Sequence, residues 1–393
     1  MKTTHRVLVA CVFVAGFFVP QAQPLAKRPN ILFAISDDQS YPHASAYGCR
    51  GIRTPAFDRV ARGGVVFRTC IAGSPGCSPS RASLLTGRYH WMIEHAGTHA
   101  SKFDSKYKTF PDLLEKAGYW VGYTGKGWGP GNYRDGGFKR NPAGPVFSSR
   151  KKNPRIKGIS STDYAANFDD FLKQRPEGKP FCFWLGGHEP HRVFEKGIGL
   201  KQGRELEEAD VPAFLPDTPE IRSDILDYYA EIEWFDSHLA MALKQLEEIG
   251  ELDNTLVIVT SDNGMAFPRA KATLYDTGTR VPLVVRWGKQ IKGGRKVIDF
   301  VSLCDLAPTF LEAAGIAPPK AMTGRSLFAQ FKSQRSGHIK ASRDHVLTGM
   351  SRHCFPYPRK ALRTDRYLYV QNKNPENWVT GRRKGPPQTF DFS

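Results

Sequence analysis

The sequence predicts an α/β fold in which a mostly parallel central sheet is covered by helices on both faces. Short continuous apolar runs recur along the chain, and segments with helical spacing or helix-start signals alternate with them. Continuous apolar runs are typical of strands buried on both faces, and their alternation with helices is typical of parallel sheets. Polar residues directly follow most of the runs, and ligand sites gather at that edge of such sheets.

Five apolar runs are the predicted strands. They are residues 30–35, 120–123, 181–185, 255–259 and 281–285. Two of the predicted helices begin with Thr-Pro, at Thr54 and Thr218, where threonine suits the N-cap and proline the first helical position. The helix from Thr218 to Gly250 repeats apolar residues every three or four positions, which indicates one core-facing side. Further helices are expected at 77–87, 110–116 and 305–315.

The ends of the chain differ from the middle. Lys2 and Arg6 precede the apolar run 7–20, which is too short to cross a bilayer and is typical of a signal peptide. We therefore expect residues 1–26 to be a cleaved signal, with a secreted or periplasmic protein and no stable membrane insertion. Residues 27–335 are expected to form the main domain. Residues 336–393 are expected to form a small, partial C-terminal α+β subdomain.

That C-terminal unit follows a polar, basic linker. The linker is predicted at residues 333–343, and strands are predicted at 344–349 and 366–370. The stretch 126–157, rich in glycine, asparagine and basic residues, is expected to be a long surface loop near the site.

The net charge of +18 favours polyanionic partners, either nucleic acid or a sulfated polysaccharide. No Cys/His finger or aromatic-basic RNA-binding pattern is present, so nucleic acid is disfavoured. The seven cysteines are widely scattered and match neither a disulfide framework nor a zinc site. One disulfide is possible in an exported chain, but the sequence does not name its pair.

Polar side chains that suit a metal or anion site follow four of the predicted strands. Asp37 and Asp38 follow the first, and Asp262 and Asn263 follow the fourth. These residues offer only oxygen ligands, which favours a hard cation, Ca²⁺ first and Mg²⁺ second. The other two strands are followed by Lys126, between two glycines, and by the sequence Gly-Gly-His188-Glu-Pro-His191. A histidine from that turn could supply a proton.

The most informative stretch is residues 77–87, Cys-Ser-Pro-Ser-Arg-Ala-Ser-Leu-Leu-Thr-Gly. Ser78 is the predicted N-cap, Pro79 the first helical residue and Gly87 the stop. Cys77 would then lie where exposed N–H groups and the helix dipole favour an anion, and Arg81 could reach back from one turn later. A capped helix that contains a buried cysteine is the alternative interpretation.

The run 77–87 resembles the signature of the type I sulfatases, whose cysteine is oxidised to formylglycine. The resemblance extends from about residue 29 to at least 318, and it is closest to the heparan N-sulfatase (sulfamidase) type. It also rests on 255–268, 188–192, 211–219 and 305–315.

This resemblance implies an alkaline-phosphatase-like α/β/α domain with a small C-terminal sheet. It implies a Ca²⁺ ion held by Asp37, Asp38, Asp262, Asn263 and formylglycine 77. It also implies Arg81 and Lys126 at the nucleophile, with His188 and Lys271 at the sulfate. A formylglycine-generating enzyme or an anaerobic sulfatase-maturating enzyme would be a required partner.

Two departures from the family pattern bear on function. The family usually reads Gly-Lys-x-His, whereas Gly125-Lys126-Gly127-Trp128 places Trp128 at the histidine position. The chain also ends earlier than most family members, in the part that often borders the substrate pocket.

The sequence predicts a hydrolase that removes sulfate from a sulfated glycan, with N-sulfoglucosamine as the preferred group. An O-sulfatase acting on carbohydrate esters is the nearest alternative. A phosphonate or phosphomonoester hydrolase of the same superfamily comes next. A polyanion-binding pseudoenzyme is the non-catalytic alternative, motivated by the charge and by Trp128.

Overall fold

The computed structural model describes residues 28–374 of the chain. The predicted signal at 1–26 and the last residues, 375–393, lie outside that range. Within it, no helix combines the length and apolar character needed to traverse a bilayer. No disulfide joins the cysteines of the described range.

Eight strands form the central sheet. They are β1 (Asn30–Ser36), β2 (Val65–Ile71), β3 (Trp120–Gly125), β4 (Phe181–Gly186), β5 (Thr255–Ser261), β6 (Arg280–Arg286), β7 (Arg295–Val297) and β8 (Val301–Ser302). The order is β3-β4-β1-β5-β6-β2-β7, and β8 also pairs with β2. All pairings are parallel except those of β6, which runs antiparallel to both neighbours.

The five predicted strands are confirmed as β1, β3, β4, β5 and β6. The prediction missed β2 because Arg68 and Thr69 interrupt its apolar run. Both residues are half-buried, and the pairing with β6 shifts register between Phe67 and Cys70. The irregular stretch of β2 lets two polar side chains leave the core.

Nine helices accompany the strands of residues 28–374. They are α1 (Pro55–Arg62), α2 (Cys77–Thr86), α3 (Phe110–Lys116), α4 (Tyr164–Gln174), α5 (Ile198–Lys201), α6 (Pro219–Glu248), α7 (Asp276–Thr279), α8 (Leu306–Ala313) and α9 (Phe328–Lys332). The predicted helices correspond to α1, α2, α3, α6 and α8. The prediction missed α4, although its Asp163 N-cap accepts a bond from the Ala166 N–H.

The helices form two layers because successive strand residues face opposite sides of the sheet. Ile31, Phe33 and Ile35 of β1 pack in one core, together with side chains of α2, α3 and α8. Leu32 and Ala34 pack in a second core, together with side chains of α1, α4 and α6. The result is the three-layer α/β/α arrangement that the sequence predicts.

The described part of the C-terminal unit is a three-stranded antiparallel sheet in the order β11-β10-β9. Its strands are β9 (His345–Arg352), β10 (Pro356–Thr364) and β11 (Leu368–Asn372). The predicted strands at 344–349 and 366–370 correspond to β9 and β11. The prediction missed β10, which contains Pro356 and Pro358 and shifts register between Pro356 and Arg359. Proline cannot donate to a ladder, so it is tolerated at such an irregularity.

The small sheet is attached to the main domain beside the carboxyl edge of the large sheet. Thr348 donates to the carbonyl of Ala72 at 2.8 Å, and Arg363 pairs with Asp276 at 2.9 Å. Met350, Tyr357 and Ala361 of the small sheet share a core with Leu274. The domain boundary at 335/336 stays a prediction.

Candidate active site

The carboxyl ends of β1 and β5 bring the acidic residues together. The two strands are parallel and in register as far as the pair Ser36 and Ser261, so the residues that follow lie side by side. The Asp38 N–H donates to Asp262 at 3.1 Å. Carboxylate oxygens of Asp37, Asp38 and Asp262 all lie within 4.8 Å of one another. The sheet edge therefore gathers three buried carboxylates in one place.

The helix α2 begins two residues earlier than the predicted cap implies. Gly76 is the N-cap, Cys77 is the first helical residue, and the predicted N-cap Ser78 and first residue Pro79 both lie inside the first turn. Proline fits there because the N–H groups of the first turn have no intrahelical partner. The Ser78 hydroxyl instead accepts a bond from the Ala100 N–H at 3.0 Å. Gly87 ends the helix as predicted, with a φ of 62°.

The side chain of Cys77 faces the acidic cluster, and the residue is only 1% exposed. Its Sγ atom lies 3.8 Å from Oδ1 of Asp38. Burial, reinforced by the charge of Asp37, raises the pKa of the Cys77 thiol well above its usual value. The thiol is therefore protonated at neutral pH, and the expectation that the start of the helix favours an anionic ligand beside Cys77 stays a prediction.

Three cations complete the cluster, and all three were predicted site residues. Arg81 donates from Nε to Asp262 at 2.7 Å, and Lys271 donates to Asp38 at 2.8 Å. Lys126 donates to Asp37. Arg81 and Lys271 are inaccessible to solvent, whereas Lys126 keeps a 13% exposed side chain. Lys126 is therefore the one of the three that reaches the open side of the cluster.

The charged groups of this centre shift one another's pKa values. Burial alone would raise the pKa of Asp37, but Lys126 and Arg81 hold it well below its usual range. Burial raises the pKa of Asp262 against the effect of Arg81, and the charge of Asp37 adds to this rise. Burial would lower the pKa of Lys271, but Asp38 raises it. Three carboxylates thus face three cations, and a divalent cation would leave the centre with a surplus of two positive charges.

One oxygen atom of the cluster receives no hydrogen bond within residues 28–374 and is available to bind a cation. Asn263 donates from Nδ2 to Asp38 at 2.7 Å and to the carbonyl of Gly264, but its buried Oδ1 has no partner among the described residues. An amide oxygen left without a donor beside three carboxylates matches the all-oxygen ligand set of a hard cation. Asp37, Asp38, Asp262 and Asn263 are therefore able to hold one.

A cavity of about 360 Å³ opens over this centre. Its lining residues are Asp37, Lys126, Gly158, Ser160, His188, His191 and Arg192. The predicted surface loop ends at this wall, since Gly158 and Ser160 follow directly after residues 126–157. The lining also carries two histidines and Arg192, whose guanidinium pairs with Asp224. The Lys126 ammonium and the histidine rings are the lining groups that can donate to an anionic ligand.

The two histidines of the cavity differ in position. A ring nitrogen of His191 lies within 4.8 Å of both Sγ of Cys77 and a carboxylate oxygen of Asp37. His188, the predicted proton donor, also lines the cavity and is exposed, whereas His191 is half-buried. The protein atoms around its ring desolvate it in part and lower the pKa of His188 to about 4, so the ring is neutral at pH 7.

Trp128, at the usual histidine position, does not line the cavity. Its ring is 3% exposed, packs against Phe103 with ring centroids 5.1 Å apart, and donates from Nε1 to the carbonyl of Ser78 at 3.0 Å. The tryptophan therefore braces the first turn of α2 and offers no proton to the centre.

Two supporting groups were missed in the sequence. His353, in the turn after β9, packs so closely on Gly76 that a Cβ there would lie 2.9 Å from the ring. Its ring stacks on His99 with centroids 4.1 Å apart. Glu189, inside the Gly-Gly-His motif, accepts bonds from Tyr164 and from the Ser160 N–H, both at 2.8 Å. Of these two groups, only Glu189 could have been found from the sequence, because it lies inside the Gly-Gly-His motif.

Family comparisons agree with this geometry. Residues 29–316 match the Sulfatase family, and residues 269–388 match the family described as N-sulphoglucosamine sulphohydrolase, C-terminal. Human N-sulphoglucosamine sulphohydrolase is 30% identical over 89% of this chain and 74% of its own length. An N-acetylglucosamine-6-O-sulfatase of Bacteroides thetaiotaomicron is 29% identical over 83% of this chain and 75% of its own.

Solved structures share the fold. A protein in complex with its substrate D-glucosamine-2-N,6-O-disulfate superposes with a TM-score of 0.70, with 24% identity and coverage of 89% of this chain and 90% of the other. A phosphonate monoester hydrolase from Silicibacter pomeroyi gives a TM-score of 0.69, with 20% identity and coverage of 88% and 87%. The predicted alkaline-phosphatase-like fold is confirmed. The chain belongs to the sulfatase family of sulfate ester and sulfamate hydrolases.

Proposed function

We propose that this protein removes sulfate from a sulfated glycan, with N-sulfoglucosamine as its preferred group. The observation that carries the proposal is the position of Cys77, which begins α2 among three carboxylates and three cations beneath an open cavity. The similarity to N-sulphoglucosamine sulphohydrolase over most of both chains supports the choice of sugar.

The thiol itself is a poor nucleophile here because burial keeps it protonated. We propose that Cys77 is oxidised to formylglycine by a maturation enzyme. The hydrated aldehyde would supply two oxygens on one carbon, so one can attack sulfur while the other later helps to expel sulfate. The fold keeps this side chain fixed, since Ser80 donates to the carbonyl of Asp262 at 2.6 Å and ties α2 to β5.

We propose Ca²⁺ as the resident cation, held by Asp37, Asp38, Asp262, Asn263 and residue 77. When bound, a hard divalent cation polarises a sulfate oxygen and favours the deprotonated nucleophile. The ligands are positioned by the protein without it, because Arg81 orients Asp262 and Lys271 orients Asp38. Lys126, which is partly open to the cavity, is placed to hold a sulfate oxygen.

Proton transfers fall to the histidines of the cavity wall. His191 lies close to residue 77, and we propose that it accepts the proton that leaves the diol as sulfate is expelled. Trp128 cannot accept this proton, because its Nε1 donates to the carbonyl of Ser78. His188 is the more exposed of the two, and we assign to it protonation of the leaving amine or alcohol. An arriving sulfate anion would raise its low pKa, because opposite charge stabilises the protonated ring.

The first experiment is a mass spectrum of the peptide that spans Cys77, taken from protein produced in its native host. An aldehyde or its hydrate at residue 77 is the expected species. An unmodified thiol in every preparation would contradict the mechanism. Replacement of Cys77 by alanine should abolish turnover and leave thermal unfolding nearly unchanged, because the Sγ atom makes only a weak polar contact.

Substrate preference separates the remaining candidates. We expect glucosamine N-sulfate to be hydrolysed with the highest kcat/KM in a panel that includes glucosamine 6-O-sulfate, an aryl sulfate and an aryl phosphate. The 6-O-sulfate as best substrate would favour the O-sulfatase alternative, which the Bacteroides relative supports. The aryl phosphate as best substrate would favour a phosphonate or phosphomonoester hydrolase. Binding without turnover by aldehyde-bearing protein would favour a pseudoenzyme.

We also propose a cleaved signal at residues 1–26, a catalytic domain at 27–335 and a C-terminal unit at 336–393. The exported enzyme would be secreted or periplasmic, and would meet polymeric glycans there. N-terminal sequencing of the exported protein tests the cleavage site.

A further inference from the structure

A strongly basic segment borders the cavity, and the proposed mechanism does not use it. Residues 150–157 read Arg-Lys-Lys-Asn-Pro-Arg-Ile-Lys, with five cations and no acidic residue. All five cationic residues are exposed. The charge of Lys157 acts on one carboxyl of residues 28–374, since Lys201 and, after it, Lys157 lower the pKa of Glu195. Lys151 donates only to the Thr162 hydroxyl at 3.3 Å, and the Lys152 ammonium lies 5.2 Å from the centre of the Trp234 ring. Their charge is therefore available to a ligand.

The backbone holds this segment beside the cavity. The Lys152 N–H donates to Ser161 at 2.7 Å, and the Asp163 N–H donates to the carbonyl of Arg150 at 3.1 Å. Residues 150–152 thus run alongside 161–163, and the turn between them contains Gly158 and Ser160 of the cavity wall.

The far end of the turn is fixed as well. The Lys157 N–H donates to Glu195 at 2.9 Å, and a Cβ on Gly158 would lie 2.1 Å from the carbonyl oxygen of Val193. Gly158 has a φ of +90°, a conformation that glycine adopts without strain. The positive charges at 155 and 157 are therefore held within three residues of the cavity wall.

We propose that residues 150–157 form a second anion-binding subsite, which takes the sulfate or carboxylate groups of sugar units beyond the one in the cavity. The inference rests on the proposed function and extends it, because it makes the substrate an oligomeric or polymeric polyanion. A cavity of about 360 Å³ lies at the small end of ligand pockets and suits a single sugar unit. The rest of a longer chain must leave through the opening, where fixed positive charge attracts it.

The test compares one short and one long substrate. The variant Lys151→Gln/Arg155→Gln/Lys157→Gln removes three charges of the subsite. The control Lys116→Gln/Lys179→Gln/Lys289→Gln removes three exposed lysines at the opposite edge of the sheet. Lys116 and Lys179 precede the amino ends of β3 and β4, and Lys289 follows the carboxyl end of the antiparallel β6. The substrates are glucosamine N-sulfate and a heparin-derived tetrasaccharide with N-sulfoglucosamine at its non-reducing end.

For the subsite variant at low salt, we expect kcat/KM on the tetrasaccharide to fall by about tenfold, the combined effect of three exposed charge contacts. On the monosaccharide it should change less than about twofold, since these side chains lie outside the cavity. The loss should shrink as ionic strength rises. The control should match wild type on both substrates. Equal losses on both substrates, no loss on either, or an equal loss in the control would overturn the subsite.

Binding separates this inference from the proposed function. In the Cys77→Ala background the tetrasaccharide stays intact, and calorimetry should show about tenfold weaker binding when the three subsite charges are removed. If the wild-type enzyme hydrolyses neither sugar but this difference appears, the proposed function fails and the subsite stands. If both sugars are hydrolysed and binding is unchanged by the variant, the subsite fails alone.

Discussion

At the scale of single residues, the unpartnered oxygen of Asn263 predicts a cation-dependent stability. Adding Ca²⁺ to chelator-treated protein should raise the unfolding temperature, since a ligand at one hundred times its Kd stabilises by about 2.7 kcal/mol. Asn263→Ala removes one ligand oxygen and should reduce this rise. Asn254→Ala, at the amino end of β5, is the matched control and should keep the full rise. An identical rise in both variants would exclude Asn263 as a ligand.

Replacement of the two cavity histidines should lower kcat in different ways. His191→Ala should lower kcat by about 10² to 10⁴, the usual contribution of positioned acid–base groups, whatever the leaving group. His188→Ala should lower kcat most for substrates with a poor leaving group and least for an activated aryl sulfate. Steady-state kinetics on both substrate types would measure this contrast. Equal losses for His188→Ala on both types would remove the leaving-group role.

At the scale of elements, the start of α2 depends on the small sheet. Gly76 has an extended φ of −161°, so alanine is acceptable to the backbone, but its Cβ would lie 2.9 Å from the ring of His353. Gly76→Ala should displace residue 77 and lower kcat/KM by about 10- to 100-fold, because small misplacements of reacting groups are costly. The double variant Gly76→Ala/His353→Ala should recover much of the loss. A double-mutant cycle without coupling would show that the two elements act independently.

The elements also show where sequence patterns succeed. The uninterrupted apolar runs of β1 and β5 and the periodic α6 were predicted because each is buried along its length or on one side. The patterns failed for β2 and β10, where charged residues or proline interrupt the signal, since neighbouring strands rather than local composition maintain these elements.

At the scale of the whole molecule, a buried acid behind the cavity wall makes stability depend on pH. Burial raises the pKa of Glu231 to about 9, with Glu189 adding to the rise, and its Oε1 has no partner among the described residues. The folded state therefore retains a proton that the unfolded chain releases near pH 4.5. This group's contribution is fully favourable below about pH 4.5 and is lost as pH rises towards 9.

Glu231→Gln should flatten that dependence. Between pH 6 and 8 the free energy of unfolding of the variant should rise relative to wild type by up to about 1.4 kcal/mol per pH unit. Urea unfolding at the two pH values would measure the difference. Glu247→Gln, at an exposed ion pair on the same helix, is the control and should leave the wild-type slope unchanged. A parallel pH profile for Glu231→Gln and wild type would contradict the raised pKa.

The sequence by itself determined the layered fold and named the residues that meet at the site. Strand burial and helix spacing are local patterns, and the carboxyl edge of a parallel sheet must gather the residues that come after each strand. Only the tertiary structure decided that His191 rather than Trp128 faces residue 77, that His353 supports Gly76 from nearly 280 residues away, and that residues 150–157 border the cavity. These relations depend on distances between segments remote in the chain, which no local pattern encodes.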